Sequence, residues 1–307
     1  MVRMDSVGGL LAGSMVWSML RLGFSSGKIK HWQGRAWRWH DAVVQFSART
    51  FTSASRWTAF MGCQIDRIRI NTLSLDTVEG VPVWVKKRTP VSHWLVRVAN
   101  GFFQLAHNPV EVLATGEHWR RWEVEMFLAL NGGNRLAGVA GDGAVYAEIL
   151  PGADLVQFLK ENRLNAAVLG LAGDAFRQMH AKRDPLSGDY FSHGDPHLGN
   201  VIIDEKSARS GWIDFETRHT GGLSAGERHA DDLLVFLLDL AGRSTREEWE
   251  WRSRAFLDGY GRAEVLHFLK KRLTLPAGWG AVWWAVRTSY LSRREMQWRM
   301  VDLRKRL

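Results

Sequence analysis

One short stretch holds the residue types that phosphoryl chemistry needs. Residues 192–216 read SHGDPHLGNVIIDEKSARSGWIDFE. His193-Gly194-Asp195 is followed by Asn200, the apolar run VIID, a polar turn EKSARSG and the run WIDF, with Asp214 near its end. The two apolar runs predict a β-hairpin that would gather Asp195, Asn200 and Asp214. One carboxylate can orient an attacking hydroxyl and take its proton. A carboxamide and a second carboxylate make a hard-oxygen pair suited to Mg2+ between the phosphates of ATP. His193, Asp195, Asn200, Asp214 and Phe215 at such spacing would arise by chance in roughly one chain in a thousand, so the string counts for more than any lone H-G-D.

The elements that must position these residues follow from periodicity. Residues 65–88 (IDRIRINTLSLDTVEGVPVWVKKR) alternate and turn at Glu79-Gly80, predicting a hairpin whose second strand is VPVWVKK. In residues 115–130, Trp119, Trp122, Met126, Phe127 and Leu130 recur at helical steps, and Asn131-Gly132-Gly133 stops the helix. VYAEIL (145–150) predicts a short strand closed by Pro151-Gly152, with Asp154 as the cap of the helix that follows. Residues 165–183 predict a longer amphipathic helix. From 223 the pattern is helical almost to the end, with Asp231 and Asp232 beginning the helical run DDLLVFLLDL. Strands come first and helices afterwards, which predicts an α+β fold in two lobes.

HGDPHLGNVIID and WIDFE resemble the catalytic loop and metal-binding segment of the protein-kinase-like superfamily. The likeness is to its atypical and small-molecule branch: aminoglycoside and choline phosphotransferases, lipopolysaccharide core kinases, Bud32/RIO-like kinases and the ABC1/UbiB pattern. The resemblance spans about residues 65–260, although only 193–216 is specific in letters. It implies a small β-rich N-lobe and a larger, mostly helical C-lobe. It implies ATP and Mg2+ as cofactors, Asp195 as catalytic residue, Asn200 and Asp214 as metal ligands, and His193 as structural support. It also places an aspartate at about Asp231 that bonds the catalytic-loop backbone. An acidic residue in a first helical turn is expected from the helix dipole alone, so both readings of Asp231 stand.

The resemblance also implies upstream partners. A strand lysine should hold the α/β-phosphates and pair with a helical glutamate. VPVWVKKR offers Lys86 or Lys87; alternation puts Lys86 on the side of Trp84, although paired lysines at a strand end are commonly solvated. The helix offers Glu123, on the packed face with Phe127 and Leu130, and Glu125 as second choice. AEILPG stands where the backbone of Glu148 to Leu150 would bond adenine.

Several departures bear on the acceptor. No G-x-G-x-x-G precedes Lys86, so another backbone must cover the phosphates or nucleotide binding is impaired. The triplet reads Asp214-Phe215-Glu216, with Glu where Gly is usual, and no Arg stands between His193 and Asp195, which argues against switching by activation-loop phosphorylation. No A-P-E follows, and the chain from Glu216 to Asp231 is short for a peptide platform. The acceptor expected is therefore a hydroxyl of a small molecule or a lipid-linked sugar. The alternatives are a catalytically weak kinase-like regulatory or binding protein and a Bud32/RIO-like protein kinase.

Composition bears on location more than on chemistry. The 307 residues are 46% hydrophobic and 24% charged, an ordinary globular balance. The single Cys63 excludes a disulfide framework and a cysteine zinc cluster. The net charge of +9 sits at the ends: +6 in residues 1–60, +5 in 283–307 and −2 between them. Of the 16 tryptophans, five lie in residues 1–60, and Trp283, Trp284 and Trp298 lie in the basic tail. The uncharged run 6–20 is short for a bilayer span, which needs about 20 apolar residues; it reads as a buried or interfacial helix before a signal peptide. Trp interleaved with Lys and Arg suits an anionic membrane surface, and equally a helical extension with a solvated basic face. The expected organisation is a basic Trp-rich extension (1–60), an N-lobe (61–150) with an insertion (89–116) facing the acceptor or a membrane, a C-lobe (151–282) and a basic C-terminal helix (283–307). The expected location is cytoplasmic, with peripheral contact at the inner membrane face. No nucleic-acid recognition module is visible, so nucleic acid is not an expected partner. Oligomeric state is not legible.

Overall fold

The computed structural model describes residues 70–114, 116–288 and 291–307. The Trp-rich extension, the uncharged run 6–20 and the start of the first predicted strand lie outside the described residues.

The predicted hairpin forms from β1 (Asn71–Val78) and β2 (Val81–Arg88), paired antiparallel through a two-residue turn. Glu79 and Gly80 both have positive φ, the geometry that keeps a tight hairpin in step with strand twist. β4 (Ala137–Val139) and β5 (Val145–Glu148) complete a four-stranded antiparallel sheet in the order β1-β2-β5-β4. Helix α2 (Gly116–Asn131) packs on this sheet, burying Trp119, Glu123, Met126 and Phe127 at the predicted three- and four-residue steps.

The stretch 89–116 is built into the fold. It forms α1 (Ser92–Leu105) and β3 (Val110–Val112), and β3 pairs with β9 (Thr217–His219), just past the Asp-Phe-Glu triplet. Val96, Phe103 and Val110 are buried. A three-stranded sheet of β6 (Ala153–Asp154), β7 (Val201–Asp204) and β8 (Arg209–Trp212) carries the central motif. β8 is earlier than the predicted WIDF: the strand ends at Trp212, and Asp214 lies beyond it.

The rest is helical: α3 (Leu155–Lys160), α4 (Ala166–Ala181), α5 (Ala225–Gly242), α6 (Arg246–Tyr260), α7 (Ala263–Arg272), α8 (Gly278–Arg287) and α9 (Arg293–Arg306). Asp154 caps α3 as expected, accepting a bond from the Gln157 backbone. α5 starts at Ala225, behind a Ser224/Glu227 capping box, not at Asp231. Phe176 of α4 lies at the centre of the core, edge-on to Trp212, Phe236 and Phe256 with centroids 4.8, 5.1 and 5.1 Å away.

The basic tail also differs from expectation. The boundary drawn at residue 283 falls inside α8, and two helices stand where one was expected. Trp283 and Trp284 are buried, as are Met296, Met300 and Leu303 of α9. Arg299 is buried too and caps the end of α5 through the carbonyls of Ala241 (2.6 Å) and Ser244 (2.9 Å). Its charge satisfies helix-end carbonyls. Among the described residues no helix is long and apolar enough to cross a membrane.

Helices α4 and α6 cross at backbone contact. A Cβ at Gly173 would lie 2.1 Å from the Phe256 carbonyl oxygen, and one at Gly259 would lie 2.2 Å from that of Gly170. Gly173→Ala should therefore lower stability by about 3 kcal/mol in urea unfolding, because only backbone can give way. Gly101→Ala, with open space at its Cβ, should leave the midpoint unchanged or slightly raised. Equal effects at the two positions would contradict the close crossing.

Candidate active site

The site centres on Lys86. The side chain leaves β2 on the face opposite Val83, and its ammonium lies 2.7 Å from Glu123 Oε1 of α2. The same ammonium pairs with Asp214. Burial opposes the charge on Lys86, but Asp214 and then Glu123 outweigh it, and the pKa is raised. Burial likewise opposes ionisation of Asp214, yet Lys86 holds it at about 2. Burial, with Asp214 alongside, pushes the Glu123 carboxyl up against the opposing pull of Lys86.

Two further contacts fix the angle between these elements. Asn131, at the end of α2, pairs its amide with both backbone groups of Trp212, at 2.8 Å each. Glu123 and Asp214 are thus set against each other by the same helix. Asp214 has φ +71°, a left-handed conformation that costs an aspartate about 1–2 kcal/mol. Glu216 accepts from Asn71 Nδ2 (2.6 Å) and lies 3.7 Å from Arg88, so the residue in the Gly place ties the triplet to the first hairpin.

The loop 193–200 is held from below by two aspartates of α5. Asp232, fully buried, accepts from the backbone N–H groups of His193 and Gly194, both at 2.8 Å. Asp239 accepts from Leu198 N–H at 3.0 Å. His193 Nε2 donates to the Ile213 carbonyl at 3.1 Å, joining the loop to the segment that carries Asp214. Gly194 has φ +81°, and a Cβ there would crowd Thr217 Oγ1 at 3.1 Å. Asn200 is buried and donates its Nδ2 to the Asp195 carbonyl at 2.9 Å.

The structure brings together Lys86, Glu123 and Asp214, and separately Asp195 and Asn200 within one loop that His193 joins to the Asp214 segment. Of the paired candidates, Lys86 and Glu123 are the two that meet. Lys87 is exposed and pairs with Asp142 at 2.6 Å, a surface contact of little energetic weight. Glu125 has no part in the triad. Asp231 does not bond the loop backbone; it pairs with His219 (3.2 Å) and Arg272 (2.6 Å), and its neighbour Asp232 holds the loop. Asp231 is also not in the first turn of α5, so the helix-dipole explanation falls with the helix start. Glu148 is partly withdrawn from the expected adenine contact. Its N–H bonds the Leu136 carbonyl (2.7 Å), its carboxylate pairs with Arg135, and Ile149 N–H bonds Pro82. The Leu150 N–H has no backbone partner among the described residues, so the expected contact narrows to Leu150.

Asp232 and Asp239 were not singled out from sequence, although a signal existed. Acidic residues inside an apolar helix need partners, and a seven-residue step puts both on one face. Arg287, whose Nη1 lies 2.6 Å from Asp195 Oδ1, had no sequence signal at all.

The donor set fits Mg2+. Asn200 Oδ1 and Asp214 Oδ2 make no hydrogen bond among the described residues, while the other polar atom of each side chain is engaged. No cluster of three or more His, Cys, Asp or Glu stands ready as a metal cage among the described residues. A hard cation held by one or two protein oxygens and completed by phosphates and water needs no such cage.

Beneath the loop, His180 stacks on His229 at 4.0 Å and bonds Asp232 through Nε2 (3.1 Å) and Tyr260 through Nδ1 (3.0 Å). Burial holds His180 well below the usual histidine range and, with His180 alongside, holds His229 at about 3. Both are neutral in the fold. A depressed pKa gives stability that is present above about 6.5 and is lost as pH falls toward the folded value. Urea midpoints should thus fall from pH 7 to pH 5, and less steeply in His229→Gln; parallel slopes would contradict this. Lys86→Met should cost about 3 kcal/mol at pH 8 by leaving the buried Glu123 carboxylate, and the partly exposed one of Asp214, unpaired. The loss should shrink at pH 5, where one carboxylate takes a proton; a pH-independent loss would contradict the triad.

No family model and no curated protein matches this chain. Among solved structures it is similar to an ethanolamine kinase of Plasmodium vivax, at 9% identity and TM-score 0.42, covering 91% of this chain and 95% of that one. It is similar to a spectinomycin phosphotransferase in complex with ADP and spectinomycin, at 11% identity and TM-score 0.35, covering 78% and 86%. A third is a Leishmania major MAP kinase, at 13% identity and TM-score 0.33, covering 79% and 80%. Likenesses at these TM-scores carry no weight for function, which the contacts around Lys86 and Asp195 bear on instead.

Proposed function

We propose that this chain is an ATP- and Mg2+-dependent phosphotransferase with a two-lobe, protein-kinase-like fold. The observation that carries this is the Lys86 ammonium shared by Glu123 and Asp214, reached through Asn131 and His193 from the loop that holds Asp195 and Asn200. On this reading Lys86 holds the α- and β-phosphates, and Glu123 keeps its ammonium aimed. Leu150 N–H meets the adenine edge. Asp195 orients the acceptor hydroxyl and accepts its proton as the oxygen attacks the γ-phosphorus in line with the departing ADP oxygen. Asn200 Oδ1 and Asp214 Oδ2 would hold Mg2+, which would supply charge neutralisation at the phosphates. Asp232 and Asp239 keep the loop from yielding as charge moves.

The acceptor proposed is a hydroxyl of a small molecule or a lipid-linked sugar. Only residues 217–224 separate Glu216 from α5, and three of them form β9, which leaves little chain for a peptide platform. The turn between β1 and β2 is only two residues long and is not a glycine-rich loop, so on this reading some other backbone covers the phosphates.

The test is transfer of label from γ-labelled ATP into polar-metabolite and lipid extracts. Wild-type protein should label a fraction in a Mg2+-dependent way. Asp195→Ala should lower the rate by about 100-fold or more, and Asp214→Ala should abolish it. Undiminished labelling in both variants, or none with wild type, would contradict the reading.

A further inference from the structure

The carboxylate that should receive the acceptor's proton already touches a cation. Arg287, the last residue of α8, places Nη1 2.6 Å from Asp195 Oδ1. The Arg287 side chain is only 10% exposed. Its guanidinium lies over the ring of Trp283, one helical turn earlier, at 4.3 Å. Trp283 is set edge-on against Phe103 of α1 at 5.1 Å. The cation is thus anchored on a buried aromatic wall.

The ion pair is incomplete as a hydrogen-bonded unit. Asp195 Oδ1 and Arg287 Nε are both buried with no hydrogen-bond partner among the described residues. Contact without hydrogen-bond geometry leaves buried polar capacity unspent, which is costly. A guanidinium is shaped for a planar, two-pronged anion. The neighbouring carboxylate of Asp231 does not supply it, since both its oxygens are engaged by Arg272 and His219. Meanwhile the guanidinium occupies the Asp195 oxygen that an acceptor hydroxyl would have to reach. Both faults are removed by one event: a second anion taking Arg287 while a hydroxyl takes its place at Asp195.

We propose that Arg287 is the acceptor-reading residue of this site, and that the acceptor is anionic, carrying a carboxylate or phosphate close to the hydroxyl that is phosphorylated. This rests on the phosphotransferase reading and adds the substrate class to it. The acceptor's acidic group draws the guanidinium from Asp195 into a bidentate pair, and the freed carboxylate faces the hydroxyl. A neutral or cationic acceptor leaves the Arg287–Asp195 contact closed.

The test uses the full chain in thermal unfolding, with the nucleotide site filled by Mg2+ and a non-hydrolysable ATP analogue. The probes are methyl phosphate, glycolate and neutral ethylene glycol at about 10 mM, against sodium chloride of equal ionic strength. One of the two anions should raise Tm and ethylene glycol should not; which anion acts separates a phosphate acceptor from a carboxylate one. Arg287→Gln should abolish the anion shift and keep the nucleotide shift, which also shows that the variant is folded. Asp195→Asn should bind the anion more tightly, because the internal competitor for Arg287 is weakened; a purely structural ion pair would not give this. No anion shift in wild type, or equal shifts in wild type and Arg287→Gln, would overturn the proposal. No shift with the nucleotide analogue would instead contradict the phosphotransferase reading, and the anion arms are then read without nucleotide.

Discussion

A single ammonium group, that of Lys86, joins three parts of the chain that are far apart in sequence. It leaves the sheet on β2, meets Glu123 on α2 and pairs with Asp214 past β8. The Lys86 ammonium is buried against Glu123, and removing either partner would leave a buried polar group without its compensation. That condition sets the register of α2 on the sheet and the path of the chain after Trp212. It also explains why Asp214 tolerates a left-handed backbone: the bond to Lys86 offsets the local strain.

The second half of the site depends on the first through short links. His193 ties the loop to the Ile213 carbonyl, and Asp232 and Asp239 tie the same loop to α5. The loop can therefore move only with the helical core, whose interior is packed around Phe176. Two groups of charges around the site differ in what they meet. Those of Arg299, Asp232 and Asp239 are spent on backbone groups that would otherwise be unpaired. Those of Lys86, Asp195 and Arg287 are paired with the charges of other side chains.

Much of this was legible in the sequence, for reasons that differ by residue. Lys86 over Lys87 followed from the two-residue period of a strand, and Glu123 over Glu125 from the helical face shared with Phe127. Asp195, Asn200 and Asp214 were legible because their spacing is tied to a hairpin. The end of that hairpin was not: WIDF has strand-like letters, but Asp214 turns away to meet Lys86, a demand made by a residue far off in sequence. The resemblance places the loop-bonding aspartate only to about Asp231; adjacent residues on a helix point about 100° apart, so one step decides which carboxylate reaches the loop, and it is Asp232 that does. The basic Trp-rich tail misled because composition does not report burial. Trp283 and Arg299 are core residues whose partners come from α1 and α5. Arg287 beside Asp195 is a tertiary contact across 92 positions, and no local pattern marks it.

On the proposed reading, Lys86, Asn200 and Asp214 form a site for Mg2+-bound ATP. Calorimetric titration of ATP into the wild-type protein, with and without Mg2+, tests it most directly. A single ATP should bind per chain, at least about tenfold tighter when Mg2+ is present. No binding at millimolar ATP, or binding indifferent to Mg2+, would contradict it.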